Sequence, residues 1–566
     1  MANFTRRQAL GFTGAAGALA ACATQDPADI TLSQARPAYD GTVDYLHGVA
    51  SGDPLPTQVI LWTRVTPTSG EGSIPMRWEV LKDGEVVSRG GTSAEASRDY
   101  CVKVDAGGLE PGTEYTYRFV AETMAGEAES PTGRTKTTTA SGGDAVKFAV
   151  VSCSNWQFGY FNVYDALSKI DDLDAVIHLG DYFYEYGIDG YGAESAQALG
   201  RLHDPVTETV TLDDYRMRHA QYKTDPSAQA AHAAAPWLCT WDDHESTNNS
   251  YRTGAENHNP EENEGDWTDR KQVAVQAYLE WMPVRDPEPG RARESIYRKF
   301  DFGDVASVFC LESRLTGRSD EISWFTEIGG LEPEKIPDAA AQTMMRVQDE
   351  SRTMLGPVQE EWLDEKLNAS VDAGKSWQVL ANQIVMARVR PPNFSETLSP
   401  EAVNEFDNTY IRQLVGFSQL GVPLNLDAWD GFPAARDRLY ASAASAGANL
   451  VTLTGDTHTA WANTLMDKNE AIRGVEFGCT SVTSPGFGIY MPGVEDLGQQ
   501  FADANPEVEF HDPHGNGATI VTLTMDTVRA DYFKVSSIVD GAYDWTLEDS
   551  FETSRTDEGV SALQRV

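Results

Sequence analysis

Positive charge is scarce in this chain: 44 Lys and Arg stand against 86 Asp and Glu in 566 residues, a formal net charge of −42. No run of basic residues is long enough to hold a polyanion against that background, which excludes nucleic acid as a partner class. Long apolar runs are missing too. None approaches the roughly 18 residues needed to cross a bilayer, and with a mean hydropathy of −0.40 this excludes a polytopic membrane protein. What is present fits a loop-rich globular protein rather than a disordered or collagenous one: 41% hydrophobic and 10% aromatic residues, with 48 Gly and 27 Pro. At roughly 150 residues per domain the length allows three or four domain-sized units. The acid excess reads as a solvated, aggregation-resistant surface.

The first residues read as an address. Arg6 and Arg7 precede a short Gly/Ala-rich apolar stretch from Ala9 to Ala21, the order of a twin-Arg export signal over residues 1–22. Leu19-Ala20-Ala21-Cys22 resembles a lipobox, which would anchor the protein through a lipid on Cys22; ordinary cleavage at the Ala-rich site is the alternative. Localisation is therefore expected to be periplasmic, extracellular or lipid-anchored. If Cys22 carries lipid, Cys101, Cys153, Cys239, Cys310 and Cys479 remain. An odd number in an oxidising compartment gives one thiol another task, and the other four either form two bridges or stay buried as small hydrophobes.

Two textures follow. Residues 40–139 read as short strands with Pro/Gly punctuation, among them Val59 to Val65, Met76 to Val80 and Tyr115 to Val120, the pattern of a small fibronectin-like β-sandwich. From 146 to 535, buried-strand runs alternate with helical segments, which predicts an α/β domain of mixed sheets flanked by helices. Strands are expected at Phe148 to Ser152, Ala175 to Leu179, Trp237 to Thr240, Trp377 to Val385 and Leu450 to Thr454, and helices at Arg270 to Met282 and Gln359 to Leu367. Residues 536–566 read as a polar tail or a lid.

Chemistry gathers where strands end. Cys153 follows the first of these strands, Gly180-Asp181-Tyr182-Phe183-Tyr184 the second, Asp242-Asp243-His244-Glu245 the third and Gly455-Asp456-Thr457-His458 the last. Open α/β sheets place their sites at such carboxyl ends. A solitary Gly-Asp is usually a turn and a solitary Asp-x-His a cap. Together, a thiolate, carboxylates, a phenol and imidazoles in one cleft call for cations. Asp181 and Tyr184 are spaced to reach one ion with Cys153 and His458, and a phenolate favours a hard, highly charged ion such as Fe(III). Asp243, Asp456 and the amide of Asn382 suit a second ion such as Ca(II), with Asp181 as the bridge. His178 reads as a core or supporting histidine, Tyr182 and Tyr186 as packing.

These pieces resemble the PhoD-like alkaline phosphatases, a family that includes enzymes described as phospholipase D. The resemblance covers nearly the whole chain: Ser152-Cys153, His178 to Tyr186, Trp241 to Glu245 with Asn248-Asn249, Met354-Leu355-Gly356 with Gln359, Trp429 to Pro433 with Arg436, and Leu453 to His458. It implies a β-sandwich before a metallophosphoesterase core similar to that of purple acid phosphatases. It also implies Fe(III) at Cys153, Asp181, Tyr184 and His458, with Ca(II) at Asp181, Asp243 and Asp456. In one departure, family members carry Leu-Asp-Thr-Arg where this chain has Leu311-Glu312-Ser313-Arg314, a carboxylate one methylene longer.

The expected activity is hydrolysis of phosphate mono- or diesters at alkaline pH by a cation-activated hydroxide, with no covalent serine. His244 would stabilise the phosphoryl group or protonate the leaving alkoxide, and Arg314 would clamp phosphate oxygens. The expected partners are small phosphate esters, phospholipids or other phosphodiesters. The alternatives are a phospholipase D-like phosphodiesterase and, from another class, an inactive surface-anchored binding protein whose signature would be a lost ligand position.

Overall fold

The structure, a computed structural model, describes residues 37–406, 408–557 and 559–566. The twin arginines and Cys22 lie outside them. Among the described residues no helix is long and apolar enough to cross a membrane.

Two mixed sheets lie face to face with helices outside them. In the eleven-stranded sheet the parallel strands Ala145–Val151, Ala175–His178 and Pro236–Cys239 lie side by side, flanked by the antiparallel strands Gly517–Thr524, Thr527–Val535 and Trp545–Thr556. In the seven-stranded sheet Ala306–Cys310, Trp377–Ala381 and Leu450–Thr454 are parallel neighbours. These central strands are apolar throughout because both faces are covered. Phe148, Val150, Ile177 and Leu238 of the first sheet meet Val308, Val379, Val451 and Phe477 of the second in one buried cluster. The outer face of the first sheet packs under the helices Leu212–Lys223, Pro226–Ala234 and Trp267–Trp281. The outer face of the second packs under Pro357–Asp372, Thr409–Ser418 and Pro433–Ala446. Mixed sheets with flanking helices are thus as expected from the alternating texture.

The N-terminal region divides between two sheets. Ile74–Lys82, Glu85–Ala94, Glu114–Thr123, Gly126–Glu129 and Gly133–Lys136 form an antiparallel sheet of their own. It packs through Met76, Val80, Tyr117 and Phe119 against Val49, Val59 and Leu61. The strands Val49–Leu55, Gln58–Arg64 and Cys101–Gly107, however, continue the eleven-stranded sheet, with Trp237 paired in parallel to Gly52. A Cβ on Gly52 would sit 2.2 Å from the Pro283 carbonyl oxygen, so the close approach requires glycine here. The boundary drawn near residue 140 is a change of texture and not a break in hydrogen bonding.

The C-terminal segment also departs from expectation. Instead of a tail or lid, residues 536–566 contribute Trp545–Thr556, a 12-residue strand paired with Thr527–Val535. The five cysteines among the described residues, Cys101, Cys153, Cys239, Cys310 and Cys479, are all buried and free.

Candidate metal centre

Sheet register brings the loops together. Val151 pairs with His178 and His178 with Cys239 in one sheet, and Ala381 pairs with Leu453 in the other, so the carboxyl ends finish level. The chain then turns sharply. Cys153, Asp181, Asp456 and His458 have φ of 60°, 54°, 65° and 61°, left-handed backbone that costs a non-glycine residue of order 1 kcal/mol each. Loop contacts impose it: the Cys153 N–H donates to the Gly180 carbonyl at 3.1 Å and the Gly455 N–H to the Gln383 carbonyl at 2.8 Å. Gly180, at φ 109°, lies so close to Asp242 that an added Cβ would be 2.3 Å from its nitrogen. Glu245 fastens the two loops, accepting from the N–H groups of Asp181, Tyr182 and Asp242 at 3.1, 2.7 and 2.9 Å.

Ligand atoms from Cys153, Asp181 and His458 lie within 4.8 Å of one another, and so do those of Asp181, Asp243 and His244 and those of Asp242, Asp243 and Asp456. Asp181 and Asp243 belong to two groups each. The Tyr184 hydroxyl joins the first, 2.9 Å from His458 Nε2 and 3.0 Å from Asp181 Oδ2, and accepts from Ser484 Oγ at 2.7 Å. His458 Nδ1 is 3.2 Å from the Pro485 carbonyl oxygen, to which it donates, so Nε2 offers its lone pair to the cluster. Asp181 Oδ1 and Asp243 Oδ1 are buried without a hydrogen-bond partner. Orphaned anionic oxygens beside a thiol, a phenol and an imidazole lone pair form a donor set that fits metal ions.

Electrostatics agree with that fit. Burial, reinforced by Asp243, Asp242 and Glu245, pushes Asp181 well above the usual carboxylate range. Burial and the neighbouring Asp242 do the same to Asp456, while Asp242 rises to about 6. Burial and then Asp181 raise Cys153 and Tyr184. Burial opposes ionisation of Asp243 as well, but Arg314 and His244 outweigh it and hold this carboxyl low. His458 falls to about 4 through burial and the charge of His244. For His244, burial is overcome by Glu185, Asp243 and Asp181, and its pKa is raised. A bound cation is what would let these groups ionise together.

Eight of the nine residues expected at the site meet there: Cys153, Asp181, Tyr184, Asp243, His244, Asp456 and His458, with Arg314 bonded to Asp456. Asn382 is fixed through its amide: Oδ1 accepts from Trp429 Nε1 at 3.2 Å and Nδ2 donates to the Ile384 carbonyl, which leaves the second lone pair of Oδ1 for another contact. Arg314, expected to clamp phosphate, is fully buried. It donates to Asp242 Oδ1 at 2.5 Å, Asp242 Oδ2 at 3.1 Å, Asp427 Oδ2 at 2.7 Å and Asp456 Oδ1 at 3.4 Å. Its donors serve carboxylates, and its charge offsets part of the acid cluster. Glu312 is well served despite its extra methylene, accepting from Trp241 Nε1 and from the N–H groups of Arg314, Leu315 and Thr316 at 2.7 to 3.0 Å. His178 is a buried core residue, with Nε2 2.9 Å from the Tyr164 hydroxyl.

Sequence reasoning missed Asp242, Asp427, Glu185 and Glu245. Glu185 Oε2 lies 2.6 Å from His244 Nδ1, and Glu185 Oε1 accepts from the Asn248 N–H at 2.8 Å and Asn257 Nδ2 at 3.0 Å. Position beside recognised ligands was the available signal for Asp242, Glu185 and Glu245; Asp427 had none.

A family profile described as PhoD-like phosphatase matches residues 148–532, and one described as PhoD-like phosphatase, N-terminal domain, matches residues 31–139. Alkaline phosphatase D of Bacillus subtilis (strain 168) is 36% identical over 504 residues, covering 86% of this chain and 76% of that protein. A solved structure described as that of PhoD aligns with a TM-score of 0.73 at 32% identity, covering 94% of this chain and 93% of the other. With the site above, these similarities define a phosphoric ester hydrolase. The chain belongs to the PhoD-like phosphatase family.

Proposed function

We propose that this chain hydrolyses phosphate esters outside the cytoplasm, with Fe(III) held by Cys153, Asp181, Tyr184 and His458 and Ca(II) by Asp181, Asp243 and Asp456. The observation that carries this is the meeting of a thiol, a phenol, an imidazole lone pair and unpartnered carboxylate oxygens around Asp181. When bound, such a pair of cations supplies Lewis-acid polarisation of the phosphoryl oxygens and a water activated for in-line attack. The chain's own residues do the rest. Glu185 accepts a hydrogen bond from His244 Nδ1, which leaves the ring's Nε2 to serve the phosphoryl group or the leaving oxygen. Arg314 holds Asp242, Asp427 and Asp456 in place, and Glu245 keeps the Asp181 and Asp242 loops in register. The inactive binding-protein alternative loses its expected signature, because no Cys, Asp, Tyr or His position of the set is vacant.

Elemental analysis with a visible spectrum tests the metal assignment. Phenolate-to-Fe(III) charge transfer is expected to colour the purified protein, and Tyr184→Phe to bleach it; a colourless, iron-free, fully active enzyme would remove iron from the proposal. Side-by-side rates on p-nitrophenyl phosphate and its bis-ester then read the monoester against the diester activity. Export rests on Arg6 and Arg7. Changing both to Lys is expected to strand precursor in the cytoplasm on cell fractionation, and undiminished export would rule the twin-Arg route out.

A further inference from the structure

Three of the four candidate iron ligands lean on one short segment, residues 481–485, which follows the strand Ile472–Gly478 and has no part in hydrolysis as described. The segment is tied down before it reaches them. The Val482 N–H donates to the Ser152 carbonyl at 2.9 Å, the Gly517 N–H to the Ser481 carbonyl at 3.0 Å, Thr483 Oγ1 to the Asn155 carbonyl at 2.8 Å and Asn516 Nδ2 to the Ser484 carbonyl at 3.0 Å. It then meets the ligands in turn. The N–H groups of Thr483 and Ser484 both donate to the Cys153 carbonyl at 3.3 Å, the Ser484 hydroxyl donates to the Tyr184 oxygen at 2.7 Å, and the Pro485 carbonyl accepts from His458 Nδ1 at 3.2 Å. Ser484 is fully enclosed.

The neighbours of the Tyr184 oxygen are not equivalent. Asp181 Oδ2 at 3.0 Å and His458 Nε2 at 2.9 Å present lone pairs, so neither can donate to a phenolate. Among the described residues Ser484 is the one hydrogen-bond donor on that oxygen. We propose that Ser484 is the positioning residue of the iron-binding phenolate: its hydroxyl orients the Tyr184 oxygen and draws charge from it, setting how strongly that oxygen donates to Fe(III). The inference rests on the iron reading above. A hydrogen bond to an ionic oxygen is about twice as strong as a neutral one, and enclosed surroundings strengthen it further. Partners one bond beyond the ligands fix ligand orientation and tune the metal in just this way.

Ser484→Ala removes the hydroxyl and nothing else. In the iron-loaded enzyme the phenolate-to-Fe(III) charge-transfer band is expected to move to longer wavelength, because an oxygen relieved of its hydrogen bond gives up charge more readily. Competition with a chelator is expected to show iron held about ten- to hundredfold less tightly. Ser484→Thr restores a hydroxyl and is expected to bring the band back toward its wild-type position. A Ser484→Ala enzyme whose band stays in place overturns the proposal, whether it keeps its iron or loses part of it, since a merely structural role would loosen iron without moving the band. Should that variant fail to fold, the wild type alone decides: the phenolate C–O stretch in resonance Raman is expected to shift between ordinary and heavy water, and an unshifted stretch overturns the hydrogen bond. A wild type that is active without iron or colour overturns the iron reading, and the role of Ser484 with it.

Discussion

Asp181→Asn is expected to lower kcat/KM by about three orders of magnitude, the equivalent of about 4 kcal/mol of transition-state stabilisation. The side chain belongs both to the group with Cys153 and His458 and to the group with Asp243 and His244, so one substitution weakens two candidate sites. The size and shape of the residue barely change, and its backbone N–H bond to Glu245 is independent of the side chain. Loss of activity should therefore come with loss of metal on elemental analysis and little loss of secondary structure by circular dichroism. A variant that keeps its metals and full turnover would show that Asp181 bridges nothing.

A second large effect is expected away from the site. Lys223 is fully enclosed, with its ammonium 5.0 Å from the Trp62 ring, 4.8 Å from the Tyr182 ring, and 3.2 Å from both the Tyr182 hydroxyl and His232 Nε2. Burial lowers its pKa from 10.5 to about 7, a fall only partly opposed by Cys239 and Cys101. Between those two values the unfolded chain keeps a proton that the folded chain has released. Stability should accordingly rise with pH across this window and be lowest below it, where the fold must carry the charge. At about 1.4 kcal/mol per unit, the full swing is about 5 kcal/mol. Lys223→Met keeps the length and removes the charge. Urea midpoints at pH 7 and pH 10 should converge for the variant and differ for the wild type, and the variant should be the more stable at pH 7. Parallel pH profiles for the two proteins would mean that the ammonium is better solvated than its surroundings indicate.

The candidate site was legible where each ligand follows directly on its own strand. Cys153, Asp181, Asp243, Asp456 and His458 follow apolar runs whose parallel pairing leaves them little choice of destination. Their left-handed backbone was hidden, because tertiary contacts hold residues there that would not choose it locally. The carboxylates that Arg314 serves were hidden for a related reason. Its position after a strand is local information, but its partner Asp427 lies 113 residues away and joins the cluster only in the folded chain. The indole of Trp429 that orients the Asn382 amide was hidden as well, because indole placement leaves no trace in spacing. The strand Trp545–Thr556 escaped notice because both its ends are exposed and its middle, Asp549 to Phe551, is buried in a row, which removes the alternation that marks a half-covered strand.

Pairing of Gly52 with Trp237 places the neighbour of Pro236–Cys239 on the far side of the texture boundary, and the salt bridge from Arg298 to Asp53 at 2.7 Å pins the same seam. A fragment starting at residue 146 would therefore expose raw sheet edge just upstream of Asp242, Asp243 and His244, inviting self-association where those side chains need rigidity. The N-terminal region is thus the catalytic sheet's missing flank, and the smallest autonomous enzyme must include it.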